Sequence, residues 1–186
     1  MRFPLHLQAI LLTAITGVGA VVWAGAPPKS PEYEVKAKLL RSIGSYVTWP
    51  DARARKDAPF VIGVLGDSPF EGYLDDQVQG RVIQGRKVKV SYLRALNSHT
   101  LLGCDLLFIS ESEYDRLPEI LRICKGQAVL TVADTSGFGN RGVILNMVTL
   151  SGRIGLEINT RAAREAGLEV GSALLSSPNT RILQAP

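Results

Sequence analysis

The residues of this sequence with the most familiar chemical precedent are Gly137, Gly139 and Gly142, which are spaced as G-x-G-x-x-G. That spacing is typical of dinucleotide-binding loops, whose glycines let the backbone approach a pyrophosphate at the start of a helix. The loop therefore needs a strand before it and a helix after it. Here positions 143–150 are strand formers, and a Ser151-Gly152 turn leads into a second strand. The sequence thus predicts a β-hairpin and no nucleotide site.

Acid-base and metal chemistry has few residues to draw on. After the predicted removal of the N-terminus, His99 is the only histidine, and it lies in a polar stretch that indicates a loop or a helix cap. No G-x-S-x-G elbow accompanies it, and no Cys/His spacing suits a metal ion. An enzyme is therefore the least favoured interpretation.

Two aspartates stand where an α/β sheet usually binds its ligand. Asp67 follows the strand predicted over 60–65, and Asp134 follows the strand predicted over 128–132. Because open α/β sheets bind ligands outside the carboxyl ends of their strands, Asp67 and Asp134 are candidates to line a ligand cleft. The alternative is that both are solvated acids of surface loops.

The two cysteines are Cys104 and Cys124. Cys104 opens the strand predicted over 105–110, and Cys124 closes the helix after it, so both ends of this unit return to the same edge of the sheet. A disulfide between them would suit an oxidising compartment and contribute about 3 kcal/mol by closing the loop. Two buried free thiols are the alternative.

The N-terminus predicts export. Arg2 supplies a positive charge, and positions 9–24 are uncharged and mostly apolar, but shorter than the roughly 20 apolar residues of a spanning helix. We expect a signal peptide over 1–24 that is cleaved after Ala24. Cleavage after Ala26 is an alternative, although it would place Pro27 directly after the cut, and an uncleaved anchor is another.

The remainder predicts one folded unit. A proline-rich tether over 25–31 precedes a domain over 32–180 and a tail over 181–186. Buried strands alternate with amphipathic helices, which predicts parallel strands and right-handed crossovers. The expected fold is therefore a single α/β domain, with a mostly parallel central sheet, helices on both faces and a C-terminal β-hairpin. It is Rossmann-like without a nucleotide site.

The first helix is predicted over 32–48. Its apolar residues share one broad face, and Lys36 projects among them. We interpret Lys36 as a snorkelling lysine with a packed stem and a solvated amine.

Charge patterning gives no sign of a nucleic-acid partner. The formal net charge is +4, and the basic residues are scattered. The densest group lies on a predicted strand pair and is interpreted as a solvated edge that discourages edge-to-edge pairing. It comprises Arg81, Arg86, Lys87 and Lys89.

Taken together, five segments resemble the YfiR-like family. They are EYEVKAKLLRSIGSYVTWP at 32–50, FVIGVLGDSPF at 60–70, CDLLFIS at 104–110, VLTVADTSGFGNRGVILNMV at 129–148 and IGLEINTRAAREAGLEVGSALL at 154–175. The resemblance implies a non-enzymatic regulator in the periplasm, without a cofactor and often a homodimer. It also implies repression of an inner-membrane diguanylate cyclase through the periplasmic domain of that enzyme, with an outer-membrane lipoprotein able to sequester the repressor. A periplasmic small-ligand sensor is the alternative function.

For the partner-binding surface, the glycine loop and the hairpin are the candidates. Phe138 is the leading one, because an aromatic side chain in a glycine-rich loop has less core to bury in. Leu145 and Leu156 have core positions as their alternative, since half of the residues of a hairpin point inward. The candidates are Phe138, Arg141, Leu145, Leu156 and Glu157, with Lys36 as an outlier.

Overall fold

The structure is a computed structural model that describes residues 30–50, 57–95 and 97–183. The predicted signal peptide lies outside the described residues. The helices are α1 (Pro31–Ile43), α2 (Tyr73–Val78), α3 (Ser98–Leu102), α4 (Leu117–Cys124), α5 (Thr160–Glu165) and α6 (Ser172–Leu175). The strands are β1 (Val47–Thr48), β2 (Phe60–Leu65), β3 (Val82–Ile83), β4 (Arg86–Leu93), β5 (Leu106–Ile109), β6 (Leu130–Ala133), β7 (Leu145–Leu150), β8 (Arg153–Ile158), β9 (Glu169–Val170) and β10 (Thr180–Ile182). None of the helices in these ranges is long and apolar enough to cross a membrane.

Eight strands form one sheet in the order β10-β8-β7-β6-β5-β2-β4-β3. Strands β4, β2, β5, β6 and β7 run parallel to one another, and β8 returns antiparallel to β7 as the second arm of the hairpin. The short strand β3 folds back antiparallel onto β4. The predicted α/β class, the mostly parallel sheet and the C-terminal hairpin are confirmed.

Two apolar layers cover the two faces of the sheet. In β5, Leu106 and Phe108 point to the layer that contains α1, α2 and α5, whereas Leu107 and Ile109 point to the layer that contains α3 and α4. This alternation follows from the period of two in a strand, and β5 is buried on both faces because helices cover both. Helices on both faces of the sheet are thereby confirmed.

The first helix ends earlier than predicted. It stops at Ile43, and a 3₁₀ turn over Gly44–Tyr46 leads into β1, which pairs antiparallel with β9 through Val47 and Val170. A Cβ atom at Gly44 would lie 2.9 Å from the ring of Phe60, so the absence of a side chain lets this turn pack against the sheet. The amphipathic pattern of the sequence continues past this turn, so the sequence did not indicate that the helix ends at Ile43.

The end of the chain is more ordered than predicted. The tail expected over 181–186 begins inside β10, which pairs parallel with β8, and residues 184–186 lie outside the described part. Gly155 makes the close approach possible, because a Cβ atom there would lie 2.6 Å from the carbonyl oxygen of Asn179. The neighbouring Leu156 N–H donates to that same carbonyl at 2.8 Å.

Strands β6 and β7 are offset along the sheet. They pair only through Val132 with Leu145 and Ala133 with Asn146. As a result, the end of β7 extends past the carboxyl end of β6, and the first half of β6 lacks a strand neighbour on the β7 side. An opening at the surface lies at each end of this offset.

Candidate functional site

The glycine loop joins β6 to β7 and serves as a turn. Gly137 and Gly142 adopt φ values of +81° and +114°, which L side chains rarely adopt. A Cβ atom at Gly139 would lie 2.7 Å from a methyl carbon of Leu183 and 3.1 Å from a carboxylate oxygen of Glu157. A strand follows the loop, so the fingerprint lacks the helix that a pyrophosphate site requires.

Phe138 belongs to the core. Its ring is 0% exposed and packs in the layer that contains α4, with the ring of Tyr114 at 5.6 Å between centroids. The expectation that Phe138 is accessible to a partner is therefore wrong for this structure. The loop turns back on itself, with the Val143 N–H donating to the Phe138 carbonyl at 3.1 Å, and this turn directs the ring inward.

Arg141 is the exposed member of the predicted surface. Its guanidinium lies 4.5 Å from the centroid of the Tyr114 ring and donates to the Tyr114 carbonyl at 3.2 Å. Tyr114 is itself 48% exposed, and it lies in the 3₁₀ helix Glu111–Arg116. The Arg141–Tyr114 stack is therefore a cationic and aromatic feature that is open to solvent. Tyr114 was not anticipated, because no sequence pattern links residues 114 and 141.

The other three predicted contacts are buried. Leu145 and Leu156 are 0% and 3% exposed, as their alternative interpretation required. Glu157 is 5% exposed and pairs with Arg181, and it accepts a 3.2 Å hydrogen bond from the Asn146 side chain. Asn146 is fully buried and also donates to the Thr135 carbonyl at 3.0 Å.

A polar cleft of about 320 Å³ lies where β7 extends past β6. Its central contact joins Lys36 of α1 to Asp134, with Nζ 2.8 Å from Oδ2. Glu32 accepts from the same amine at 2.6 Å, and the ring of Tyr33 lies 4.5 Å from it. We call this opening the carboxyl-end cleft, and its charged lining consists of Glu32, Lys36, Asp134, Glu157 and Arg181.

Lys36 is therefore an ion-paired residue, which corrects its interpretation as a solvated lysine. Its side chain is 9% exposed and that of Asp134 is 5% exposed. Burial lowers the pKa of the Lys36 ammonium, but the hydrogen bonds to Asp134 and Glu32 outweigh that effect and leave the pKa above its usual value. The pKa of Tyr33 is also raised, first by burial and then by the negative charge of Asp134.

Asp67 does not join Asp134 in this cleft. Its side chain is exposed, and its backbone N–H donates to the Ser112 hydroxyl at 2.9 Å. The two aspartates follow β2 and β6, and β5 lies between these strands. The structure therefore does not bring the predicted pair together, and Asp134 alone of the two lines the carboxyl-end cleft.

Cys104 and Cys124 are both buried, and the predicted disulfide between them is not formed in the structure. The Cys104 thiol donates to the Thr100 carbonyl at 3.5 Å. Burial, with a smaller contribution from Cys104, raises the pKa of the Cys124 thiol to about 12.

The predicted solvated edge contains one buried exception, Arg86. Its guanidinium forms two hydrogen bonds to the carboxylate of Asp105, at 2.9 and 2.7 Å, and also donates to the carbonyls of Ala58 and Pro59. Asp105 is 1% exposed and accepts a further 2.8 Å hydrogen bond from the Val61 N–H. This pair lies at the amino ends of β2 and β5, opposite the carboxyl-end cleft.

Within the described ranges, no group of three or more His, Cys, Asp or Glu side chains is arranged to hold a metal ion.

Comparison with known proteins shows a family and a likeness in fold. No curated protein matches the chain. A solved structure described as the ABC domain in complex with L-Trp from Streptococcus pneumonia is similar, with a TM-score of 0.54 and 11% sequence identity. The match covers 82% of this chain and 60% of that one, so this chain spans less than two thirds of its length. At that identity the likeness shows the fold alone.

The family model described as YfiR/HmsC-like matches residues 33–177, which is most of the chain. That family consists of periplasmic regulators of diguanylate cyclases and is not known for enzymes. The matched span runs from α1 to the residues that follow α6, and it includes the glycine loop, the hairpin and the Lys36–Asp134 pair. The chain therefore belongs to the YfiR/HmsC-like family.

Proposed function

We propose that this protein binds the periplasmic domain of an inner-membrane diguanylate cyclase and represses it, which lowers cyclic-di-GMP signalling. The observation that carries the proposal is the family match over residues 33–177.

The Arg141–Tyr114 stack is the proposed centre of the binding surface. Arginine and tyrosine are enriched among the residues that dominate binding energies at protein interfaces. Arg141 forms no ion pair with another described residue, so its guanidinium can pair with a carboxylate of the cyclase. A guanidinium held against an aromatic ring also loses less conformational freedom on binding than an unrestrained one.

The test compares two charge reversals in a strain that lacks the gene. Deletion is expected to raise cyclic-di-GMP and biofilm formation, and the wild-type gene is expected to restore both. Arg141→Glu should fail to restore them, because it places a negative charge at the proposed contact. Arg153→Glu, at an exposed position next to the hairpin turn, is the matched control and should complement fully.

Two outcomes would count against the proposal. Unchanged cyclic-di-GMP after deletion would remove the repressor function, and full complementation by Arg141→Glu would remove the stack from the interface. Phe138→Ala is not a useful interface variant, because truncating a fully buried phenylalanine costs about 3–5 kcal/mol of stability.

The second candidate function is a periplasmic small-ligand sensor, which the carboxyl-end cleft favours. Lys36 and Asp134 place a cation and an anion at the carboxyl ends of the strands, where open α/β sheets bind ligands. Thermal-shift measurements with amino acids, cofactors and cell-wall fragments test it, since a ligand that binds the native state raises the melting temperature. A flat response across the panel would argue against this function.

The predicted export signal and oligomeric state are also part of the proposal. N-terminal sequencing of the periplasmic protein should begin at Gly25 if cleavage follows Ala24, and at Pro27 if it follows Ala26. Sedimentation of the purified protein tests the proposed homodimer. Capture of an outer-membrane lipoprotein by the same protein tests the proposed antagonist.

A further inference from the structure

The second opening created by the offset of β6 and β7 lies at the other end of the hairpin. Thr131 lies in the half of β6 that does not pair with β7. Its hydroxyl accepts a 3.0 Å hydrogen bond from the Ile144 N–H, so a side chain takes the place of a backbone contact between the two strands. A cavity of about 340 Å³ lies beside this bridge, between the end of α4 and the start of α5. We call it the α4–α5 cleft.

The floor of the α4–α5 cleft is apolar. Val129 and Ile144 are 1% and 3% exposed, and side chains from both helices complete the surface. A cavity of this size with an apolar lining is within the range of small-molecule sites in proteins. The apolar lining residues include Pro118, Leu121, Val129, Ile144, Ala162 and Ala166.

The rim of the cleft is cationic. Four basic side chains surround it, and one carboxylate, Glu165, lies 3.7 Å from the guanidinium of Arg161. Arg122 and Lys125 are exposed and form no ion pair with any residue in the described ranges. The basic residues of the rim are Arg122, Lys125, Arg141 and Arg161.

The thiol of Cys124, which also lines the cleft, does not offset this charge. Burial raises its pKa to about 12, so the group stays neutral at physiological pH. Asn159 has its side chain engaged, since it donates to the Gly139 carbonyl at 3.1 Å and accepts from the Ala162 N–H at 2.9 Å. The positive charge of the rim therefore faces an apolar cavity, and Glu165 is the only acidic residue among the described residues that line it.

We propose that the α4–α5 cleft binds an organic anion, with an apolar body on the floor and a carboxylate or phosphate head at Arg122 and Lys125. The apolar floor favours removal of the body from water. The unpaired cations favour a negative head over a neutral one. Inorganic phosphate alone would leave the floor uncovered, and a neutral apolar molecule would leave the rim unpaired.

Binding of an organic anion is a property beyond repression of a cyclase. The position of the α4–α5 cleft nevertheless links it to the proposed partner-binding surface. Arg141 lines the α4–α5 cleft and also stacks on Tyr114. A bound anion would draw on the same guanidinium that is proposed to meet the cyclase. The site is therefore placed to couple ligand binding to partner binding.

The test uses two fluorescent probes that differ by one charge. 1-Anilinonaphthalene-8-sulfonate carries a sulfonate on an apolar ring system, and N-phenyl-1-naphthylamine has the same rings without it. We expect the sulfonate probe to bind the purified wild-type protein at one site and more tightly than the neutral probe. Octanoate should displace it, whereas 1-octanol and inorganic phosphate at the same concentration should not.

The variant Arg122→Gln with Lys125→Gln removes the two unpaired cations. It should weaken sulfonate-probe binding about ten-fold, which corresponds to about 1.4 kcal/mol, and leave the neutral probe unaffected. The control is Lys87→Gln with Arg153→Gln, which removes the same charge at exposed positions of β4 and β8. Ala162→Leu, which fills the floor, should weaken both probes, and circular dichroism checks that every variant is folded.

Three results would overturn the proposal. They are equal affinity for the two probes in the wild type, unchanged sulfonate-probe affinity in the Arg122/Lys125 variant, and displacement by phosphate as effective as by octanoate. None of these measurements involves a cyclase, so the failure of this proposal is distinguishable from failure of the repressor function.

Discussion

Two buried ion pairs, Arg86–Asp105 and Lys36–Asp134, lie at opposite ends of the sheet and are built differently. Arg86 makes four hydrogen bonds to Asp105 and to two backbone carbonyls, and both residues are less than 10% exposed. Lys36 makes its contacts to Asp134 and to Glu32, whose side chain is 53% exposed and borders the carboxyl-end cleft. The first pair is sealed by the fold, and the second can be reached by water or a ligand. Burial alone therefore does not separate a structural charge from an accessible one.

The largest expected effect is at the sealed pair. Arg86→Met should cost about 3–5 kcal/mol of unfolding free energy, because it leaves Asp105 buried without its cation. Urea unfolding followed by Trp49 fluorescence measures this loss. Lys87→Met, on the exposed neighbour, is the control and should stay within about 0.5 kcal/mol of wild type. A cost for Arg86→Met as small as the control would show that the pair is not sealed.

A smaller effect is expected at the open pair. Lys36→Met should cost about 1–3 kcal/mol, because Asp134 loses its partner but can be hydrated from the cleft. The control is Lys38→Met on the exposed side of the same helix, where Lys38 pairs with Glu34. The same urea titration applies. If Lys36→Met lowers the free energy of unfolding as much as Arg86→Met does, the difference in accessibility between the two pairs does not affect stability.

Replacing both partners sharpens the comparison further. Lys36→Met with Asp134→Leu should return stability to within about 1 kcal/mol of wild type, since no charge is left unpaired. Arg86→Met with Asp105→Leu should not recover in this way, because the Val61 N–H and the carbonyls of Ala58 and Pro59 would lose their partners. Recovery in both double variants would contradict this expectation.

The smallest expected effect is a change with pH in the free energy of unfolding that the Lys36–Asp134 pair contributes. The folded pKa of Lys36 is raised above its usual value, so the pair contributes stability below the unfolded pKa, about 10.4, and loses it as pH rises through the folded pKa. Comparison of wild type with Lys36→Met between about pH 8 and pH 11 should show a difference that shrinks as pH rises. A constant difference would rule out titration of Lys36 as its cause.

Most of the fold could be predicted from the sequence, because alternating strands and helices each have a periodic pattern of apolar residues. Placement of single side chains was harder. Lys36 was interpreted as a lysine with a solvated amine, because its partner Asp134 lies 98 positions away and no local pattern joins them. Arg86 looked like one more edge cation, since only the tertiary structure brings it to Asp105. Phe138 was misplaced because an aromatic side chain in a glycine-rich loop was taken to have less core to bury in.

The pairing of β1 with β9 has a consequence for how the chain folds. Val47, just after the first helix, meets Val170 near the end of the domain, so the contact spans most of the sequence. Contacts of such high sequence separation require a large loop to close before they add stability, which slows folding. The N-terminal helix is therefore expected to reach its final environment only after the C-terminal segment is available. Truncation before Glu169 would remove that closure, although it would leave the hairpin intact.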